Sequence, residues 1–475
     1  MIFDTDFRTV GYGGVIAGAL LLSGCGGEGS TSAPPIITVP AFAPAPTTSP
    51  STTVAIPNAT SAFSAPQQIA GISINQKMTP TFDLATLNFS LNGGFYFANG
   101  ILSVLPIFYP SHAVNADPTL VGKNTDVYLS EFSYRLNGLS ATPVPSAAKV
   151  SYPGAGTDGA VVADFNGDGI QDVFIADHGY DASPFPGGQN SLLFGTAGGG
   201  FVAGKLPAVL DFTHSATVAD IDSDGDIDIF VGNIGKPNPI DPYFLINDGK
   251  GNFTQNFNLL SGLPGKFPSS QVNAKGLNYT GSHLSDVNKD GKIDLILTGF
   301  GNGSELLSWD GSKFVVKQNL YLNDDANRSV TSVDIADLDN DGKNEIILHS
   351  TTVASTNYYK QDQIDVLKQN ASGSYQLDQT VVVSGTAWNR DLYVDDVNND
   401  GFADLISLGT DSKIILNDKG KLFVAEYKFP FDSADRALGM LDLNSDGHLD
   451  IIYSQVNAQQ STQFLFVNNL YVMFG

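Results

Sequence analysis

The sequence predicts an all-β chain arranged as a β-propeller, with seven blades as the expected count. Three observations predict it. An acidic phrase recurs six times, an apolar run rich in β-branched residues follows every copy, and the copies are spaced 56, 66, 51, 59 and 46 residues apart. Strand-built repeats of that length suit one four-stranded blade per repeat.

The phrase first appears as Asp164-Phe-Asn-Gly-Asp-Gly-Ile-Gln-Asp172. Its oxygen-bearing residues stand at positions 1, 3, 5 and 9. They are Asp164, Asn166, Asp168 and Asp172; Asp220, Asp222, Asp224 and Asp228; Asp286, Asn288, Asp290 and Asp294. The later copies carry Asp337, Asp339, Asp341 and Glu345; Asp396, Asn398, Asp400 and Asp404; Asp442, Asn444, Asp446 and Asp450. Glycine fills position 6 throughout, permitting the sharp turn that converges the donors. Oxygen donors in this pattern suit a hard cation such as Ca2+, which takes six to eight of them.

An EF-hand shares the opening of the phrase but needs a bidentate Glu at position 12 and flanking helices. Position 12 here is Ile175, Val231, Leu297, Leu348, Ser407 and Tyr453. The loop therefore joins two strands. The strand before it reads as Gly159 to Ala163, Ala216 to Ala219 and Val330 to Ile335, and the strand after it opens with runs such as Val173-Phe-Ile-Ala. Third and fourth strands form a hairpin, as in Phe244 to Phe253 and Ile414 to Phe423, around Asn-Asp turns. The interval varies mainly in the link between second and third strands, and such surface loops commonly carry recognition.

Residues 93–145 copy the rhythm without the acidic phrase. Strands are expected at Gly94 to Ala98, Ile101 to Ile107, Asp126 to Ser130 and Phe132 to Leu136, with Asn99-Gly100 in place of the metal loop. This reads as a degenerate first blade. The alternative is an independent β segment packed on a six-bladed ring.

The phrase and its aliphatic strand resemble the FG-GAP/VCBS repeat of the integrin α-subunit propeller and of many bacterial surface proteins. The resemblance covers residues 150–475, within a propeller expected over 69–475, and lies nearer the bacterial branch, because well-formed Phe-Gly and Gly-Ala-Pro signatures are missing. It implies a propeller with about six Ca2+ held on one face. It implies little about the partner, since one architecture serves many activities.

Charge is consistent with that expectation. The net charge is −25, and 20 of the 49 acidic residues stand at positions 1, 3, 5 and 9 of the six loops. Six Ca2+ would reduce the formal charge to about −13, whereas without metal the carboxylates of a loop repel one another. The acidic balance argues against nucleic-acid binding, which needs clustered Lys and Arg. Solvated acidic turns without metal are the blander reading.

The N-terminal region predicts an address. Arg8 precedes an apolar stretch from Val10 to Leu22 that ends in Leu22-Ser23-Gly24-Cys25. This resembles a bacterial lipobox, making 1–24 a signal peptide and Cys25 the lipidated residue, although Asp4, Asp6 and four glycines dilute the pattern. Gly26 after the cysteine favours the outer membrane, with plain secretion as the alternative. Residues 25–68 are poor in charge and rich in Ser, Thr, Pro and Ala, the composition of a tether. Membrane contact is thus expected through the N-terminal lipid alone. Cys25 is the one cysteine, which excludes an intrachain disulfide.

No hydrolase, metalloprotease or phosphate-loop motif occurs. Six residues before the loops stand Asp158, His214, Thr280, Thr331, Arg390 and Arg436, with His283 close by. At equivalent positions of the first strands these residues would ring the channel mouth opposite the metal loops. There they would bind an anionic sugar or carboxylate, or serve acid–base chemistry; otherwise they are ordinary strand-end residues. The favoured function is a calcium-binding adhesion or binding module for an extracellular glycan or protein. The alternatives are a polysaccharide lyase or hydrolase on a propeller, and an envelope assembly scaffold.

Overall fold

The computed structural model describes residues 62–70, 74–77, 87–90, 95–104, 107–110, 125–128, 133–144, 149–152, 160–177, 187–198, 200–233, 241–261, 263, 279–299, 304–320, 328–352, 361–385, 389–409, 411–430, 436–454, 464–467 and 470–475. Every regular element among them is a strand, and seven antiparallel sheets of four strands form a ring of blades. Blade one contains Phe95–Ala98, Ile101–Val104, Ser133–Asn137 and Ser140–Pro143. Blade two contains Ala160–Ala163, Asp172–Ile175, Ser191–Gly195 and Phe201–Ala203. Blade three contains Thr213–Ala219, Asp228–Asn233, Tyr243–Asn247 and Phe253–Asn256.

Blade four comprises Tyr279–Ser285, Asp294–Gly299, Glu305–Trp309 and Phe314–Asn319, with Leu260–Ser261 added in parallel at its outer edge. Blade five comprises Arg328–Ala336, Glu345–Thr352, Asp362–Gln369 and Tyr375–Ser384. Blade six comprises Asn389–Asp395, Asp404–Gly409, Lys413–Asp418 and Lys421–Val424. First strands of blades two to six lie side by side in turn, Arg436–Leu441 of blade seven packs on the second strand of blade six, and it meets Phe95–Ala98 of blade one.

The aliphatic runs form the second strands because each must bury both faces. Side chains alternate across a strand. In blade three, Ile229 and Val231 enter the core shared with blade two, whereas Phe230 enters the core shared with blade four. In blade five, Ile346 and Leu348 face blade four and Ile347 faces blade six. The hydrophobic core is therefore a set of layers between blades, and a continuous apolar run is what a strand between two such layers requires.

The degenerate first blade is present, with two strands shifted from expectation. Ser133–Asn137, expected as the outermost strand, is the third, and Ser140–Pro143 is the fourth. The segment expected as the third strand, Thr125–Tyr128, pairs instead with Lys149–Tyr152 in a separate two-stranded ribbon. Both segments have strand-like composition, and tertiary pairing decides between them. Asn99 and Gly100, with φ of 54° and 74°, form the tight turn that replaces a metal loop.

Blade seven is completed from the other end of the described chain. Its strands Arg436–Leu441, Asp450–Ser454 and Leu470–Met473 are followed by Gln67–Ile69, which pairs antiparallel with Leu470–Met473. The backbone then bridges to blade one, where Ala70 N–H donates to Leu139 O at 2.8 Å and Ala141 N–H donates to Ala70 O at 2.7 Å. Ala62 and Phe63 are buried in the blade six–seven core, and Phe63 packs against Tyr427 and Phe429. Packed chain thus begins before the expected tether boundary at residue 68. Truncating a buried Phe costs about 3–5 kcal/mol. Phe63→Ala should therefore lower the urea midpoint of the full chain clearly, and an unchanged midpoint would show that this segment does not latch the ring.

Candidate metal centres

All six acidic phrases sit in the turn between the first and second strands of blades two to seven, on one face of the ring. Position 1 organises each turn. One oxygen of its carboxylate accepts the position 5 N–H and the other accepts the position 6 N–H, as in Asp286 with Asp290 (2.9 Å) and Gly291 (2.7 Å). The same pair of bonds recurs at Asp164, Asp220, Asp337, Asp396 and Asp442. Position 5 then accepts from the N–H of position 7, as Asp400 does from Phe402 at 3.0 Å. Asparagine at position 3 accepts from position 5 in all four loops that carry it: Asn166, Asn288, Asn398 and Asn444. The backbone thus holds the donors in place through their own oxygens.

Glycine at position 6 has positive φ in every loop, from 80° at Gly169 to 96° at Gly225. Position 4 is also left-handed in all six, at Gly167, Ser223, Lys289, Asn340, Asn399 and Ser445. That requirement was not visible as a motif, because Asn, Ser and Lys were accepted beside Gly. Only a backbone at φ of 57° to 72° unites those residues.

The position 9 acid opens the second strand and is buried in every copy: Asp172, Asp228, Asp294, Glu345, Asp404 and Asp450. It ties the loop to the blade. Asp172 accepts from Phe165 N (2.9 Å) within the loop and Gly195 N (2.8 Å) on the third strand, and Asp228 does the same with Ile221 N (3.1 Å) and Asn247 N (2.8 Å). Burial pushes these carboxyls up, to about 6 for Asp172, Asp228, Asp294 and Asp450, and to about 7 for Asp404 and Glu345.

These residues fit a cation. Asp220, Asp222 and Asp228 bring carboxylate oxygens within 4.8 Å of one another, as do Asp337, Asp339 and Glu345. Buried carboxylate oxygens of Asp294, Asp404 and Glu345 lack a hydrogen-bond donor. An unpaired buried carboxylate oxygen is costly and calls for a positive partner.

Adjacent loops are stitched together by residues read from the sequence as hairpin turns. Asn247 donates to Phe165 O of the preceding loop (2.8 Å) and to Ile227 O of its own (3.0 Å). Asn417 repeats this with Leu338 O (2.7 Å) and Ala403 O (2.8 Å). Recurrence of Asn-Asp after an aliphatic strand was the available signal. In blade one, Asn99 takes over the linking role by exchanging two hydrogen bonds with Gln171 of the first metal loop.

The second expected site lies at the opposite ends of the first strands. The pairing with the second strand slips by one residue at His214, Thr280, Thr331 and Arg390, four of the residues six places before a loop. Such bulges re-aim a side chain. In blade seven the slip falls between Ala437 and Gly439, nearer the loop than Arg436. His214, Thr280 and Thr331 are buried. His214 Nδ1 lies 3.2 Å from Phe212 O, Thr280 donates to Val330 O (3.0 Å) and Thr331 to His349 O (3.4 Å). His283 is buried with Nε2 2.9 Å from Ser285 Oγ, and desolvation lowers its pKa to about 4. Asp158, Cys25 and the side chains of Arg390 and Arg436 lie outside the described residues.

With the loops and the ring in view, the comparison with known repeats decides the family. The sequence signature of the FG-GAP-like repeat matches residues 164–231, 286–348 and 396–453. The chain is a β-propeller of FG-GAP-like repeats. Each matched stretch runs from the opening Asp of one loop to the second strand of the following metal-loop blade. No curated protein sequence is significantly similar to the chain. Among solved structures, the intramolecular trans-sialidase from Ruminococcus gnavus, in complex with oseltamivir carboxylate, matches with 12% identity over 87% of this chain and 71% of that one. Its TM-score is 0.29, which conveys nothing about activity.

Proposed function

We propose that this FG-GAP propeller is a calcium-stabilised binding module, held at a bacterial envelope by lipid on Cys25 and presenting its loops to an extracellular glycan or protein. The observation that carries the calcium reading is the repeated loop geometry. Six copies place oxygen donors in one arrangement, with a buried position 9 acid at the base of each. The lipobox-like Cys25 and the uncharged stretch after it support the surface address. A lipid, a spacer and a rigid ring suit a protein that meets partners away from the bilayer.

Binding is favoured over turnover because His214 and His283, the two histidines among the acid–base candidates, are buried. The test uses the full chain on arrays of glycans and envelope proteins, in calcium and after chelation. Retention on a defined glycan or protein, lost on chelation and without release of reducing ends, is the expected result. Release of reducing ends or unsaturated sugars, abolished by Arg390→Ala, would replace this reading with a polysaccharide-cleaving one. Labelled fatty acid should enter the wild-type chain and not Cys25→Ala.

A further inference from the structure

The six loops are not equivalent. Lys368, on the third strand of blade five, brings its ammonium into the loop of that blade, Asp337 to Glu345 (the fifth loop when loops take the number of their blade), where it pairs with Asp339 and lies 3.5 Å from Asp341 Oδ2 and 3.9 Å from Glu345 Oε1. That Glu345 oxygen is buried and has no hydrogen-bond donor. The strand register identifies the matching positions elsewhere. Leu367 pairs with Ile346 as Leu193 does with Val173, Leu245 with Ile229, Leu307 with Leu295, Ile415 with Leu405 and Met473 with Ile451. The next residue along is Phe194, Ile246, Ser308, Leu416 or Phe474 in the other blades. Blade five alone places a cation there.

Charge makes the substitution meaningful. Four loops carry Asn at position 3 and three acids among positions 1, 3, 5 and 9, whereas the third-blade and fifth-blade loops carry Asp there and four; at position 7 the third-blade loop adds Asp226, where the fifth-blade loop has Lys343. In the fifth loop, Lys368 returns the local charge to that of the Asn loops. The third-blade loop, with Asp222 and Ile246, has no such correction. A second lysine, Lys289 from the neighbouring loop, donates to Gly342 O at 2.9 Å and lies 4.0 Å from Asp337 Oδ2. An ammonium at these distances offsets carboxylate repulsion and competes electrostatically with a divalent ion for the same oxygens.

We propose that Lys368 is the resident counter-cation of the fifth loop, which is therefore ordered without metal and binds calcium more weakly than the uncorrected third-blade loop. This rests on the calcium reading above. The chain then carries two kinds of loop: those that need an external ion and one that supplies its own.

Hydrogen exchange of the full chain across a calcium titration tests this, with chelated protein as the starting point. The reporters are the Asp341 and Gly342 amides, which donate to Asp337, and the Asp224 and Gly225 amides, which donate to Asp220. In chelator the fifth-loop amides should stay protected while the third-blade amides exchange. Calcium should then protect the third-blade loop at a midpoint at least about tenfold lower than that of the fifth loop, a difference of about 1.4 kcal/mol. Lys368→Met should abolish protection of the fifth loop in chelator and lower its midpoint toward that of the third-blade loop, and Lys368→Arg should behave as wild type. Equal midpoints in wild type, or a fifth loop unchanged by Lys368→Met, would overturn the inference and leave the calcium reading standing. Calcium that alters no loop would overturn both.

Discussion

Chelation of the calcium-loaded full chain should lower its thermal midpoint by about 13–17 °C, the largest effect expected here. An ion that binds only the native state stabilises by RT ln(1 + [L]/Kd), or about 2.7 kcal/mol per loop at a hundredfold excess over Kd. Four or five such loops contribute about 11–14 kcal/mol. Unfolding entropy of about 2.1 cal/mol/K per residue, over roughly 400 residues, converts 1 kcal/mol into a little over 1 °C. The loops lie between strands that line both faces of the inter-blade cores, so loss of metal reaches packing directly. Loop order is shared between metal and backbone, because position 1 carboxylates already hold two N–H groups in every loop. A midpoint that calcium does not move would mean those bonds alone keep the turns closed, and the metal would cease to be a folding cofactor.

Much of the ring was legible because its determinants are local. Position 1, 3, 5 and 9 oxygens with glycine at 6 define the turn, and an aliphatic run after it must become a strand buried on two faces. The latch was not legible. Gln67–Ile69 has three residues and little strand character, and only its partner Leu470–Met473 makes it a strand. The third strand of blade one was misplaced for a related reason. Asp126-Val-Tyr-Leu and Ser133-Tyr-Arg-Leu look alike locally, and pairing with Ile101–Val104 selects the second. Asn247 and Asn417 were legible as turn formers but not as ties between loops, since their partners lie 82 and 79 residues away. Lys368 was invisible among surface lysines until the register placed it opposite the fifth loop.

The pH response should reverse on metal binding. In the metal-free chain the six position 9 carboxyls are buried, and desolvation raises them to about 6 or 7 from ordinary values of 3.8 for Asp and 4.5 for Glu. Between about pH 4 and pH 7 the folded chain therefore holds more protons than the unfolded chain. Stability from these groups is complete below their unfolded pKa values and is lost as pH rises through the folded ones. Each shifted pKa unit corresponds to about 1.4 kcal/mol, so the metal-free chain should be several kcal/mol more stable at pH 5 than at pH 8. Calcium requires ionised oxygens and must displace those protons, so its stabilising effect should grow over the same interval. Thermal midpoints measured from pH 5 to 8 should thus fall in chelator and hold or rise in calcium. Asp404→Asn isolates one loop, because Asp404 Oδ1 accepts from Asn417 N at 2.8 Å while Oδ2 has no donor. The neutral amide should raise the metal-free midpoint at pH 8 and reduce the gain from calcium. If both midpoints kept their wild-type pH profiles, the buried acid at position 9 would be neither a titrating burden nor a metal ligand.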